Sequence, residues 1–289
     1  MPWFDSIVKE IASRRAIIFI GSGTSAFSSN NAGLHPPTWS TFLNDAISHF
    51  VTDDDDRRCV DELMRDKQYL DAAEVVFTQI DTPEADYFFR NTFLTPNFHP
   101  AEIHQIIQDL DSKIVISTNY DTIYEKQCNL PAPEPGSYIT KKYNEAGILD
   151  EIRSPTRLII KAHGCVNDPR HIVLTKSQYF KARSTYPSFY SLLDSLFHTH
   201  TVVFIGCGLN DPDIQLILEN ANISVPCGHP HYAFALKERH PAIVKAIRDT
   251  YNIKLIEYDN PDGSHNGLIE LLNELKEEVE SYRRIYLNE

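Results

Sequence analysis

The chain has 289 residues, enough for one α/β domain with a sizeable insertion or for two small domains. Its 27 Lys plus Arg stand against 40 Asp plus Glu; the net charge of −13, with scattered basic residues and an acidic run at Asp53 to Asp56, argues against a sequence-independent grip on nucleic acid. No stretch reaches the ~18 apolar residues of a membrane helix, the N-terminus lacks a signal-peptide core, and the five cysteines (Cys59, Cys128, Cys165, Cys207, Cys227) include no CxxC pair, so the expectation is a cytoplasmic chain without a zinc ribbon or disulfide framework.

In chain order, Trp3, Ile7, Val8 and Ile11 fall at helical spacing and predict an amphipathic helix over residues 3–13. Ala16-Ile17-Ile18-Phe19-Ile20 has no polar alternation, which fits a strand of a parallel sheet covered on both faces. It runs into Gly21-Ser22-Gly23-Thr24-Ser25, and Ala26 completes a GxGxxA pattern. Glycine there gives a ligand close access to the main chain, and the start of a following helix could hold a pyrophosphate. A plain strand-to-loop turn is the alternative. A redox dinucleotide site would also need an acidic residue closing the second strand, about 20 residues on. The nearest, Asp45, lies in WSTFLNDAISHF, whose spacing is helical, with Thr38 as a fair N-cap.

Residues 53–95 read as consecutive helices and, with AEIHQIIQDL, form a helical insertion of about 53–111 within one domain spanning 1–289. A strand over 113–117 ends in Ser117-Thr118-Asn119-Tyr120-Asp121, and TIYEKQC continues as a helix. A strand over 157–161 ends in Ala162-His163-Gly164, residues 176–200 are helical, and a strand over 201–205 ends in GCGLNDPD. Strands HYAFAL and IKLIEYD, a helix around HPAIVKAIRDTY and a final helix over 265–282 complete the chain. This alternation implies right-handed crossovers and a Rossmann-like parallel sheet with helices on both faces.

Four strands thus end in unusual residues, and ligands of open parallel sheets bind at such carboxyl ends. Asn119 can donate and accept at once, or merely cap the next helix. His163, between Ala162 and Gly164, has room for a ligand beside an imidazole that moves protons near neutral pH, although structural histidines occupy such places equally often. Gly206 and Gly208 repeat the close-approach logic of the first turn. Asp211 and Asp213 read as helix caps before ligand contacts.

GSGTS (21–25), STNYD (117–121), AHG (162–164) and GCGLNDPD (206–213) resemble, in order and in context, the four NAD-site motifs of the sirtuin family; the resemblance covers about residues 15–260. It implies that Gly21, Ser22, Gly23, Thr24 and Ser25 wrap the NAD pyrophosphate and adjoining ribose, and that Asn119 and Asp121 line the nicotinamide-ribose pocket. It further implies that His163 is the general base and that Gly206, Cys207 and Gly208 contact the adenosine side.

The zinc-holding CxxC pairs of protein deacetylases are missing from the sequence. Where deacetylases carry Pro-Asp-Phe-Arg, this chain has Gly33-Leu34-His35-Pro36-Pro37-Thr38-Trp39, and CVNDPRHIVLTKSQY does not resemble their peptide-pairing strand. These departures resemble instead the sirtuin-type NADases of bacterial anti-phage defence. That resemblance implies hydrolysis of NAD to ADP-ribose and nicotinamide without zinc, homo-oligomerisation, and assembly with a HerA-type hexameric ATPase. Transfer to a protein acceptor (a deacylase or ADP-ribosyltransferase) and a non-catalytic NAD-binding assembly subunit are the competing expectations.

Overall fold

The structure is a computed structural model that describes residues 5–129, 138–209, 211–225 and 228–287; Trp3, Asn210 and Cys227 of the sequence reading lie outside them. Helix α1 (Asp5–Ala12) leads into β1 (Ala16–Ile20), and the glycine turn winds into a single helical turn, α2 (Ser22–Ser25). Five helices follow: α3 (Trp39–Phe50), α4 (Asp54–Arg65), α5 (Tyr69–Phe77), α6 (Thr82–Phe93) and α7 (Glu102–Asp109). Next come β2 (Ile114–Ser117), α8 (Ile123–Cys128), β3 (Tyr138–Lys142), α9 (Ile148–Arg153) and β4 (Arg157–Lys161). The second half holds α10 (Lys176–Thr185), α11 (Pro187–Thr199), β5 (Thr201–Ile205), α12 (Pro212–Ser224), β6 (His231–Leu236), α13 (Pro241–Tyr251), β7 (Ile253–Tyr258) and α14 (Asn266–Tyr282).

The seven strands form one parallel sheet in the order β3-β4-β2-β1-β5-β6-β7, which bears out the Rossmann-like expectation. β1 explains its own unbroken apolar sequence. Ile18 and Ile20 pack beneath Ile7 and Ile11 of α1, Ile103 and Ile107 of α7, and Leu272 and Leu275 of α14. Ile17 and Phe19 face the other way, onto Leu193 and Phe197 of α11 and Ile217 and Leu218 of α12. With both faces covered, no position is left for a polar residue. The chain leaves β1 to pair β2 on one side and returns as β5 on the other, so the carboxyl end of β1 is the switch point where such sheets open a crevice.

A third apolar cluster joins α3, α4, α5 and α6 through Phe42, Leu43, Val60, Val76, Phe88 and Phe89, and it also takes in Tyr120 after β2 and Cys165, Val166, Ile172 and Leu174 after β4. Packing therefore groups α3 with α4 to α6, while α7 belongs to the layer on the sheet. The acidic run is a helix start: Asp53 accepts from the Asp55 and Asp56 N–H groups, and three aspartates occupy the first turn of α4, where the helix dipole favours negative charge. Thr38 caps α3 as expected. Strand β3 was not foreseen: YITKK is an edge strand, paired only to β4, half-buried and ending in lysines of the kind that guard sheet edges. Among the described residues no helix is long and apolar enough to cross a membrane.

Two glycine turns touch at the switch point. Gly206 has φ +64°, and a Cβ on it would lie 2.5 Å from the Thr24 nitrogen. A Cβ on Gly21 or Gly23 would meet the Gly206 oxygen at 2.7 or 2.8 Å. Gly208, in contrast, has nothing within 4 Å, so close packing within the fold does not require it. Gly206→Ala is expected to cost roughly 2–4 kcal/mol, from left-handed strain plus overpacking. Gly208→Ala should change stability by less than about 0.5 kcal/mol. Urea unfolding of the two variants checks the contrast, which equal destabilisation would contradict.

Candidate active site

Between the carboxyl ends of the strands and the α3–α6 unit lies a cavity of about 590 Å³, within the ~300–1,000 Å³ of small-molecule sites. Gly21, Ser22, Ser25, Asn119, Asp121, His163, Gly206, Cys207 and Gly208 line it, so nine of the eleven residues singled out in the sequence meet on one wall. Gly23 and Thr24 stand behind that wall. The Gly23 N–H is bonded to Gly206 O at 2.9 Å and the Thr24 N–H to Gly21 O at 3.0 Å; the Thr24 hydroxyl also donates to Gly21 O. Their part is to lock the turn, since their N–H groups already have partners.

Asn119 is not a helix cap. That task falls to Asp121, whose Oδ1 accepts from the Ile123 N–H at 2.9 Å. The Asn119 side-chain nitrogen reaches across to the turn after β1, 3.0 Å from Gly21 O and 3.0 Å from Ser25 Oγ. A backbone carbonyl only accepts, so Nδ2 must face it, and this fixes the amide orientation. The amide oxygen is left buried without a hydrogen-bond partner. Such an atom is costly unless a ligand or water completes it. Asp121 Oδ2 accepts from Ser25 at 2.7 Å, and its carbonyl accepts from Lys161 Nζ at 2.6 Å; Lys161, fully buried, also pairs with Glu125 at 2.9 Å. Asp121 therefore holds the wall together from behind Ser25.

His163 follows β4 on a loop whose Gly164 has φ +83° and sits where a Cβ would be 2.3 Å from His171 O. The ring is 6% exposed. Its Nε2 lies 3.3 Å from Asp211 Oδ2, and its Nδ1 lies 3.4 Å from the Tyr179 hydroxyl. Tyr179 donates to the same Asp211 oxygen at 2.8 Å. Burial holds the imidazole pKa below its ordinary value, opposed by Asp211, so the ring is a neutral base at pH 7. The Cys207 thiol, with Sγ 3.4 Å from Phe19 O, is pushed up by burial and stays protonated.

Asp211 does cap α12: its Oδ1 accepts from the Asp213 and Ile214 N–H groups, both at 3.0 Å. Asp213 does not cap. It is 3% exposed, 2.8 Å from Arg183, and pushed up to about 6 by burial.

Sequence reasoning missed Tyr179, which carries no motif and lies in α10, as well as the corner between α4 and α5, where Lys67, Gln68, Tyr69 and Leu70 reach the cavity. Lys67 is the only Lys or Arg among the described wall residues. The helical rhythm that located α4 and α5 could not place their connection over a strand end. Among the described residues no group of three or more His, Cys, Asp or Glu could hold a metal ion.

The SIR2-like domain family matches residues 113–256. Defense-associated sirtuin 2 of Bacillus subtilis is 30% identical over 119 residues, 40% of this chain and 11% of that protein. The NAD(+) hydrolase ThsA of Bacillus cereus strain MSX-D12 is 23% identical over 94% of this chain and 56% of its own length, and the ThsA of Acinetobacter baumannii is 26% identical over 43% and 25%. The chain thus spans between about a tenth and a little over half of these relatives.

Folding favours neutral His163, so its contribution to stability is complete above the free imidazole value of about 6.5 and is lost as pH falls toward the lowered folded value. NMR titration of the histidine ring protons should give His163 a midpoint below about 6.5. A midpoint at or above that value would show that burial does not govern this group.

Proposed function

For this member of the SIR2-like family, we propose that the cavity hydrolyses NAD to ADP-ribose and nicotinamide. The observation that carries the reading is the convergence on one cavity of Asn119, whose buried amide oxygen has no partner, and of His163, whose pKa burial holds low, beside the locked glycine turn. The names of the ThsA relatives support the chemistry, and the defence-associated sirtuin supports a role in defence.

In the proposed reaction the C1′–N1 bond breaks and its electron pair goes to the ring nitrogen. Nicotinamide, cationic while attached, leaves neutral and needs no general acid. A water oxygen bonds to C1′, and the proton it sheds passes to His163 and then to solvent. The amide oxygen of Asn119, whose amide N–H groups are both directed at the turn after β1, accepts a hydrogen bond from that water or from a ribose hydroxyl and so sets its approach. With the Gly23 and Thr24 N–H groups and the Ser25 hydroxyl already bonded, the diphosphate falls to Ser22 and the ammonium of Lys67. Homo-oligomerisation and an ATPase partner belong to the same proposal and rest on the family resemblance alone.

Asn119→Ala and His163→Ala should each lower nicotinamide release by about 10²- to 10⁴-fold while keeping a cooperative thermal transition. Chromatography of the products, with and without the candidate ATPase, is the measurement. Undiminished turnover by folded Asn119→Ala protein would overturn the assignment, and an ADP-ribosylated protein in place of free ADP-ribose would turn it into a transferase.

A further inference from the structure

The base does not stand alone. Asp211 presents its two oxygens to different structures: Oδ1 takes two backbone N–H groups at the start of α12, and Oδ2 takes the Tyr179 hydroxyl and faces His163 Nε2. Tyr179 has one hydroxyl proton and gives it to Asp211, so it has none for His163 Nδ1, 3.4 Å away.

We propose that Asp211 is the positioning residue of this site, holding His163 in the tautomer with its proton on Nε2 so that Nδ1 is the nitrogen that receives the proton. The proposal rests on the reading of His163 as the base of NAD hydrolysis. A neutral imidazole has one donor and one acceptor, and the partner of one nitrogen decides the role of the other. A carboxylate oxygen opposite Nε2 requires a donor there, which leaves the lone pair on Nδ1. The same carboxylate steadies the imidazolium once it has taken the proton. The helix cap anchors this acceptor, because two backbone N–H groups fix the Asp211 side chain before any substrate arrives. Tyr179, from α10, faces the ring directly; Tyr120 after β2, Cys207 after β5 and Asp213 on α12 lie within electrostatic reach of the same carboxylate.

Asp211→Asn separates the two tasks. Asparagine caps a helix about as well as aspartate, so α12 keeps its start. Its amide N–H, turned toward His163, is a donor and selects the opposite tautomer, with the proton on Nδ1. The expected result is a loss of at least about 100-fold in kcat for nicotinamide release with KM changed less than about threefold. The thermal midpoint should move by no more than about 2 °C. With the carboxylate gone, the imidazolium loses support, so the acid limb of the rate profile moves to lower pH.

Nitrogen-15 NMR of the histidine rings at pH 8, with His163→Gln to identify the signals, should show Nε2–H in the wild type and Nδ1–H in Asp211→Asn. Wild-type kcat and an unshifted pH profile in Asp211→Asn, or Nδ1–H in the wild type, would overturn the proposal. If the wild-type protein releases no nicotinamide, NAD hydrolysis is the reading that fails, and the tautomer measurement still decides what Asp211 does.

Discussion

The contact between the turns that follow β1 and β5 is the constraint from which the rest of the site is built. Main chain meets main chain there with no space for a single Cβ on Gly21, Gly23 or Gly206. β1 and β5, paired along their whole length, are thereby tied beyond their last residues as well, and Asn119, after the neighbouring β2, is hydrogen-bonded to Ser25 of the same turn. The glycines expected to admit a ligand thus first admit each other. Of the four glycines in the two turns, Gly208 alone is unconfined by the fold.

Behind this wall the charges are internal and paired. Lys161 is buried between the Asp121 carbonyl and Glu125, and Asp213 is buried against Arg183. Buried pairs of this kind contribute little net stability, yet removing one partner leaves an uncompensated charge. The first of them reaches the cavity through Asp121, whose carbonyl Lys161 holds and whose carboxylate holds Ser25.

The sheet was legible in the sequence because parallel strands covered on both faces announce themselves as apolar runs, as 16–20 and 201–205 do. Strand β3 was not, since an edge strand buries little and YITKK carries its lysines openly. Most of the site was legible for a related reason: residues immediately after such strands have few places to go but the crevice. Tyr179 was illegible because a helical tyrosine with an apolar ring reads as core, and only the tertiary fold shows that its hydroxyl ends at Asp211. Asp211 was read as a cap, which is half of what its carboxylate does.

The third apolar cluster carries one more consequence. Phe89 and Phe93 of α6 meet the Tyr120 ring edge-on, and the same cluster runs on through Val166 and Ile172 to the loop that carries His163. The helices that roof the cavity and the segment that bears its histidine therefore share one packed interior. A tightly packed interior moves as a block and does not yield at a single hinge. A change in the packing of the roof is therefore felt directly by the segment that carries His163.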